Sequence, residues 1–249
     1  MSTLTQGALY SYSDNGTTGN VSNPMMVGNS GWGEFGFLFG GSSKLGNRIY
    51  AVNREGQLLS YVDSGIPGAV AESMIVGANG WGPSNFLHLF AGYNSLGEPH
   101  IYAVNRGGQL LSYSDNGTPG NVGDPVVVGA SGWDQFSAVF GCGNIFAVNQ
   151  NGDLLSYIDG GGPGNVGNPS IASRSMWRDF ATLFGGQNLS GALNIYAEYK
   201  GNLIAYPVLA PYAVNDVGVI VGQGGWEVFK FLFACPNGTG SPRIYGVPK

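Results

Sequence analysis

The sequence predicts an all-β fold: a five-bladed β-propeller of four-stranded antiparallel blades, closed by pairing the N- and C-terminal strands. Three observations carry this prediction. A Leu-Leu-Ser-Tyr-like segment occurs five times, each copy is followed by a tryptophan at one fixed distance, and the two chain ends hold complementary halves of one hairpin.

The repeated segments are Leu9-Tyr10-Ser11-Tyr12, Leu58-Leu59-Ser60-Tyr61, Leu110 to Tyr113, Leu154 to Tyr157 and Leu203-Ile204-Ala205-Tyr206. Trp32, Trp81, Trp133, Trp177 and Trp226 each stand 20 residues after the Tyr of their copy, and successive tryptophans are 44 to 52 residues apart. Periods of that size belong to solenoids, propellers or arrays.

Within a unit the order is L-L-S-Y, a Gly/Pro/Asn loop, P-x-x-V-G, G-W-x-x-F-x-x-L-F, a loop, I-Y-A-V-N and a turn. The apolar runs are short. Ser137-Ala138-Val139-Phe140 and Ile145-Phe146-Ala147-Val148 read as buried strands bounded by Gly and Asn, and no stretch keeps helical periodicity over three turns. Asn53-Arg54-Glu55-Gly56, Asn105-Arg106-Gly107-Gly108 and Asn149-Gln150-Asn151-Gly152 each join two strands, with Gly where a hairpin needs positive φ. About four strands per unit result, which is the content of a propeller blade.

The ends decide between a ring and an open array. Ile244-Tyr245-Gly246-Val247 matches Ile49-Tyr50-Ala51-Val52 and the sequence then stops, while Gly7-Ala8-Leu9-Tyr10-Ser11-Tyr12 matches the strand that follows that hairpin. Pairing Ile244 to Val247 with Ala8 to Tyr12 completes the fifth blade and removes the open edge. A solenoid needs polar capping repeats, and neither end supplies one. The expected organisation is a single domain over residues 1 to 249, with repeats at about 7–55, 56–107, 108–151, 152–200 and 201–249.

Composition bounds the function. The 44 glycines, 13 prolines and 10% charged residues describe a turn-rich, weakly charged chain whose 43% hydrophobic content suffices for a core and argues against disorder. A net charge of -5 without any Lys/Arg run argues against nucleic acid or an anionic membrane as partner. No apolar stretch reaches membrane-spanning length, and Met1 to Gln6 is not a signal peptide, so membrane insertion is not expected and a cytoplasmic location is, with release by a non-classical route as the other option. The oligomeric state is left open.

Conventional site chemistry is missing. Cys142 and Cys235 follow the Val139-Phe140 and Leu232-Phe233 pairs of their repeats, which places them two blades apart, beyond disulfide reach, as free thiols. His88 takes a place held elsewhere by Phe37, Ala138, Thr182 and Phe231 and reads as structural; His100 is the only other histidine. No His/Cys cluster has zinc spacing, and Ser-Asp-Asn-Gly at 13–16 and 114–117 lacks the alternating acids of a calcium loop. No metal and no cofactor are expected. Glu34, Asp134, Asp179 and Glu227 lie near the tryptophans at varying offsets, as solvated turn residues do, so no catalytic pair is expected.

What recurs is a polar loop beside a tryptophan. The loop holds Asp14 and Asn20, Asp115 and Asn121, and Asp159 and Asn165; the second repeat keeps Asp63 but has Ala69, and the fifth has Val208 and Val214. Carboxylate and amide groups beside an aromatic face suit sugar recognition, since they pair with hydroxyl and acetamido groups while an indole covers C–H faces. The same residues are also turn formers, and tryptophan also fills space between blades. The expected carbohydrate-binding residues are therefore Asp14, Asn20, Trp32, Asp63, Trp81, Asp115, Asn121, Trp133, Asp159, Asn165, Trp177 and Trp226, in sites of unequal quality.

The segment from Val221 to Phe233, V-G-Q-G-G-W-E-V-F-K-F-L-F, with Ile244-Tyr245-Gly246-Val247 behind it, closely resembles the repeat of the tachylectin family, and the match recurs in all five units. That resemblance implies a five-bladed propeller lectin with one site per repeat for N-acetylglucosamine or N-acetylgalactosamine, built on the loop ahead of G-G-W. Where the family carries Asp-Asn-Trp, this chain has Gly-Asn-Val: Asn20, Asn121 and Asn165 match the amide, and Val21, Val122 and Val166 replace the aromatic residue. The resulting expectation is a multivalent, non-enzymatic lectin for glycans bearing such sugars. A propeller scaffold for protein–protein interaction is the alternative, and a glycan-processing enzyme ranks third because the repeats offer no carboxylate pair.

Overall fold

A computed structural model describes residues 4–209 and 213–249; Met1 to Thr3 of the leading segment lie outside the described residues. Five antiparallel sheets follow one another. Blade I runs from Phe37 to Gly77, blade II from Phe86 to Gly129, blade III from Ala138 to Ser173 and blade IV from Thr182 to Gly222, while blade V joins Phe229–Pro248 to Leu9–Gly28. Four blades have four strands; blade IV adds a two-residue strand, Ala213–Val214. The expected all-β propeller is the observed fold. A repeat written from hairpin to hairpin straddles two blades, because the tryptophan segment is the link between one blade's outer strand and the next blade's inner strand.

The closure is also as expected. Tyr10, Ser11 and Tyr12 pair antiparallel with Gly246, Tyr245 and Ile244, so the two chain ends share one sheet. The innermost strand of each blade contacts those of both neighbours around the ring. Each inner strand passes the axis as Phe followed by two small residues: Phe39-Gly40-Gly41, Phe90-Ala91-Gly92, Phe140-Gly141-Cys142, Phe184-Gly185-Gly186 and Phe233-Ala234-Cys235. The reason is steric. A Cβ on Gly40 would stand 2.6 Å from the Ala234 carbonyl oxygen of the adjacent blade, inside contact distance.

The outer edges are covered rather than open. Gly19 and Val21 of blade V donate their N–H groups to Ile220 and Val221 of blade IV at 2.9 and 3.1 Å, and Gly68 and Val70, Gly120 and Val122, and Gly164 and Val166 do the same to the blade before them. A loop therefore adds itself to its neighbour's fourth strand and satisfies an edge that would otherwise invite aggregation. Cys142 and Cys235 are buried free thiols, as their spacing requires. Each S–H points across a junction, to the Asn194 and Arg48 carbonyl oxygens at 3.2 and 3.5 Å. Among the described residues helix is confined to single 3-10 turns opened by Trp32, Trp133, Trp177 and Trp226.

Candidate functional site

Each tryptophan crosses a blade junction and packs on the Tyr of the next blade. Trp32 meets Tyr61, Trp81 meets Tyr113, Trp133 meets Tyr157, Trp177 meets Tyr206 and Trp226 meets Tyr12, with ring centroids 4.6 to 5.0 Å apart. All five indoles are only 1 to 7% exposed. Little of each indole is left open, because it packs on Tyr and Phe, an arrangement worth about 0.5–1.5 kcal/mol per aromatic pair beyond area burial. The residue directly after the outer-strand valine explains the fit, since Gly28, Gly77, Gly129 and Gly222 sit against the indole nitrogen and a Cβ there would collide with it. In blade III the same place holds Ser173, whose hydroxyl accepts the Trp177 Nε1–H at 2.7 Å.

The four aspartates also turn inward. Asp14, Asp63, Asp115 and Asp159 are each 2% exposed. One carboxylate oxygen accepts the N–H of the glycine two residues on, at 2.8 Å in every copy. The other accepts a tyrosine hydroxyl from the preceding blade: Tyr245 to Asp63 and Tyr50 to Asp115 at 2.7 Å, Tyr102 to Asp159 and Tyr196 to Asp14 at 2.8 Å. The Asp carbonyl oxygen is taken as well, by the N–H of Gly238, Lys44, Ser95 or Leu189 from that same preceding blade. These carboxylates are engaged within the protein, at the junctions between blades. Burial first, then the neighbouring carboxylate, raises the four tyrosine hydroxyls far above their ordinary pKa, so they stay protonated donors.

One junction lacks this latch. Between blades III and IV the tyrosine position holds Phe146 and the aspartate position holds Val208, both in one apolar cluster. Donor and acceptor are lost together, so neither is stranded. This paired loss was visible in the repeat alignment and is the signal that identifies Asp as a junction residue.

Asn20, Asn121 and Asn165 remain exposed at the loop tips. The amide nitrogens of Asn20 and Asn121 donate to Thr17 and Thr118 at 3.2 Å, which leaves their carbonyl oxygens outward. Glu34, Asp134, Asp179 and Glu227 are exposed turn residues, as expected. Burial lowers the pKa of His88, against a backbone hydrogen bond to Phe136, in keeping with its structural reading. His100 bridges Ser112 and Asn94 inside blade II. Among the described residues no group of acids, His and Cys is placed to hold a metal.

The concave feature nearest the recurrent loop lies at the junction of blades IV and V. It encloses about 810 Å³ between the 19–24 loop of blade V and the Val221–Trp226 segment of blade IV. Tyr12, Trp226 and Phe229 are its aromatic lining, and Ser22, Asn23 and Gln223 are among its polar lining. Sequence reasoning missed Tyr12, Asn23 and Gln223 because their relation exists only after the ring closes.

No protein-family model and no curated protein matches the chain. Solved structures similar to it include the following three. The BP39L lectin from Burkholderia pseudomallei gives a TM-score of 0.44 at 16% identity, over 97% of this chain and 78% of that one. AofleA from Arthrobotrys oligospora gives 0.41 at 12% identity, over 75% and 57%. The SapL1 lectin, solved in complex with alpha methyl fucoside, gives 0.47 at 13% identity, over 98% and 90%. None of these comparisons shows the tachylectin family, and the resemblance to it rests on the repeat motif alone.

Proposed function

We propose that the protein is a multivalent, non-enzymatic carbohydrate-binding propeller whose grooves between neighbouring blades take N-acetylated hexosamines. The observation that carries this reading is the groove between blades IV and V, which the rings of Tyr12, Trp226 and Phe229 line together with the amides of Asn23 and Gln223. An acetamido group presents a methyl, an N–H and a carbonyl. The aromatic lining and Val21 suit the methyl and the sugar's C–H faces, while Asn and Gln each supply donors and an acceptor for the amide and hydroxyls. The Tyr–Trp pair and the loop-to-edge hydrogen bonds recur at the other junctions, which supports several related grooves on one rigid ring.

Titration with N-acetylglucosamine and N-acetylgalactosamine tests the reading. Single-groove dissociation constants of about 10 µM to 1 mM are expected for a shallow site. Replacing Asn23 and Gln223 together by Ala should remove one class of site and leave the melting temperature unchanged. Wild-type protein that binds neither sugar at millimolar concentration overturns the proposal. The burial of Asp and Trp favours the second reading, a scaffold that binds protein partners, and in that case glycan-coated beads will retain no more protein than bare beads.

A further inference from the structure

Blade V is the one blade whose second and third strands are not joined by a turn. In blades I, II and III a tied turn joins them. Asn53, Asn105 and Asn149 donate their N–H groups to the carbonyl oxygens of Gln57, Gln109 and Asp153 at 3.0 to 3.1 Å, and their side-chain oxygens accept the N–H groups of the same residues at 2.8 to 2.9 Å. Pro248 stands in the asparagine's place and has neither an N–H nor a side-chain amide. The bond that survives runs from the Gly7 N–H to the Pro248 carbonyl oxygen at 3.4 Å, where blade I has Gly56 to Asn53 at 3.1 Å. The limbs of this open turn become walls instead: Gln6, Pro248 and Lys249 line the groove of about 810 Å³ and also a second hollow of about 490 Å³ beside it. The two hollows differ in chemistry. Three aromatic rings line the groove, whereas the second hollow has none; its long side chains are Gln6, Glu34, Lys230 and Lys249, and Gly31 and Gly33 leave its backbone bare. Lys230 Nζ donates to the Gly33 carbonyl oxygen at 2.6 Å and Lys249 Nζ to that of Glu227 at 2.7 Å, which leaves further donors on each ammonium. Glu34, 3.4 Å from Arg54, keeps an exposed carboxylate as acceptor.

We propose that this junction takes two linked sugar residues: an N-acetylated hexosamine in the groove, and a neutral, hydroxyl-bearing sugar joined to it in the second hollow. The inference rests on the carbohydrate reading of the groove and extends it from a monosaccharide to a disaccharide. A hydroxyl both donates and accepts, so a wall that carries ammonium, amide and carboxylate groups together suits a polyol. Ligands of other classes fit less well. An anion would meet Glu34, a cation would meet Lys230 and Lys249, and an apolar group would find no ring to cover it. Both volumes lie in the range of about 300–1,000 Å³ typical of small-molecule sites. Because Gln6 and Lys249 border both hollows, the linkage crosses at those side chains and each sugar stays against protein. The other blades do not repeat this arrangement, since Arg54-Glu55, Arg106-Gly107, Gln150-Asn151 and Lys200-Gly201 close the turn that blade V leaves open. The two-sugar site is therefore expected once per ring.

Calorimetric titration of the full chain with N-acetylglucosamine and with its β-linked dimer, N,N′-diacetylchitobiose, tests this. Either residue of the dimer can enter the groove, so the other falls in the second hollow whichever way round it binds. One site per chain should hold the dimer about tenfold more tightly than the monosaccharide, a step that affinity arithmetic makes easy to resolve. Lys230→Ala with Glu34→Ala changes side chains that line the second hollow and not the groove. That variant should lose the gain, keep the monosaccharide constant and melt as the wild type does, a combination that a folding defect would not produce. Equal affinity for dimer and monosaccharide overturns the two-sugar site and leaves the groove standing. A gain that persists in the double variant also overturns it, by placing the second sugar elsewhere. Binding of neither ligand removes the groove itself, and this inference falls with it.

Discussion

Tyr196 and Asp14, 182 positions apart in the sequence, share a hydrogen bond of 2.8 Å across the junction of blades IV and V. The same bond repeats at three further junctions and is absent where Phe146 meets Val208. A hydrogen bond to a charged group contributes about 1.5–3 kcal/mol, and an orphaned buried carboxylate costs more than the bond is worth.

Tyr196→Phe should therefore destabilise by about 2 kcal/mol, with Asp14→Val alone similarly harmful. The double variant copies the natural Phe146 and Val208 pair and should lose less than the two single losses combined. Chemical denaturation of the four proteins in a double-mutant cycle measures the difference; strict additivity would mean the bond carries no coupling.

Removing residues 244 to 249 takes away the strand that pairs with Tyr10, Ser11 and Tyr12. Two edges then open in blade V, and soluble aggregates should form during size-exclusion chromatography. A truncated protein that elutes and melts as wild type does contradicts ring closure as a source of stability.

Stability should fall in alkali. Burial pushes the Cys142 and Cys235 thiols from 9.0 up to about 12, and Tyr113 from 10.0 up to about 12. A group whose pKa is raised by folding contributes stability that is complete below its unfolded value and is lost as pH climbs through the folded one. The melting temperature should hold steady to pH 9 and decline between pH 9 and about 12. The same burial predicts no reaction of either thiol with Ellman's reagent at pH 8 unless the fold opens.

Gly222→Ala should damage structure and groove together. The added Cβ would press on Trp226 Nε1, which also edges the proposed site. Overpacking of this kind costs about 1–3 kcal/mol. Calorimetry and sugar titration should move in parallel, whereas Asn20→Ala, on an exposed loop tip, should leave the melting temperature within experimental error.

The fold was legible because the short apolar strands and the tryptophan register repeat, and because Ile244 to Val247 and Leu9 to Tyr12 are visibly halves of one hairpin. The free thiols followed from the same ring geometry. The site was read less well. A turn aspartate looks alike whether its carboxylate faces water or the tyrosine of another blade, and Trp32 packs not on the Tyr12 that sets its spacing but on Tyr61. Inter-blade contacts are formed by residues distant in sequence, so local pattern carries no trace of them. Only the joint change to Phe146 and Val208 recorded one.

The aspartate that ties blades together also governs how the chain ages. Asn15-Gly16 and Asn116-Gly117 are sequences prone to spontaneous deamidation, in which the glycine nitrogen attacks the asparagine side-chain carbonyl, ammonia leaves and a cyclic imide forms. Here that nitrogen is occupied: Gly16 and Gly117 each donate to the preceding aspartate, Asp14 or Asp115, at 2.8 Å. Held against a carboxylate on a fixed peptide, the nucleophile cannot swing onto its target, and the two dipeptides gain a chemical lifetime that their composition alone would deny them.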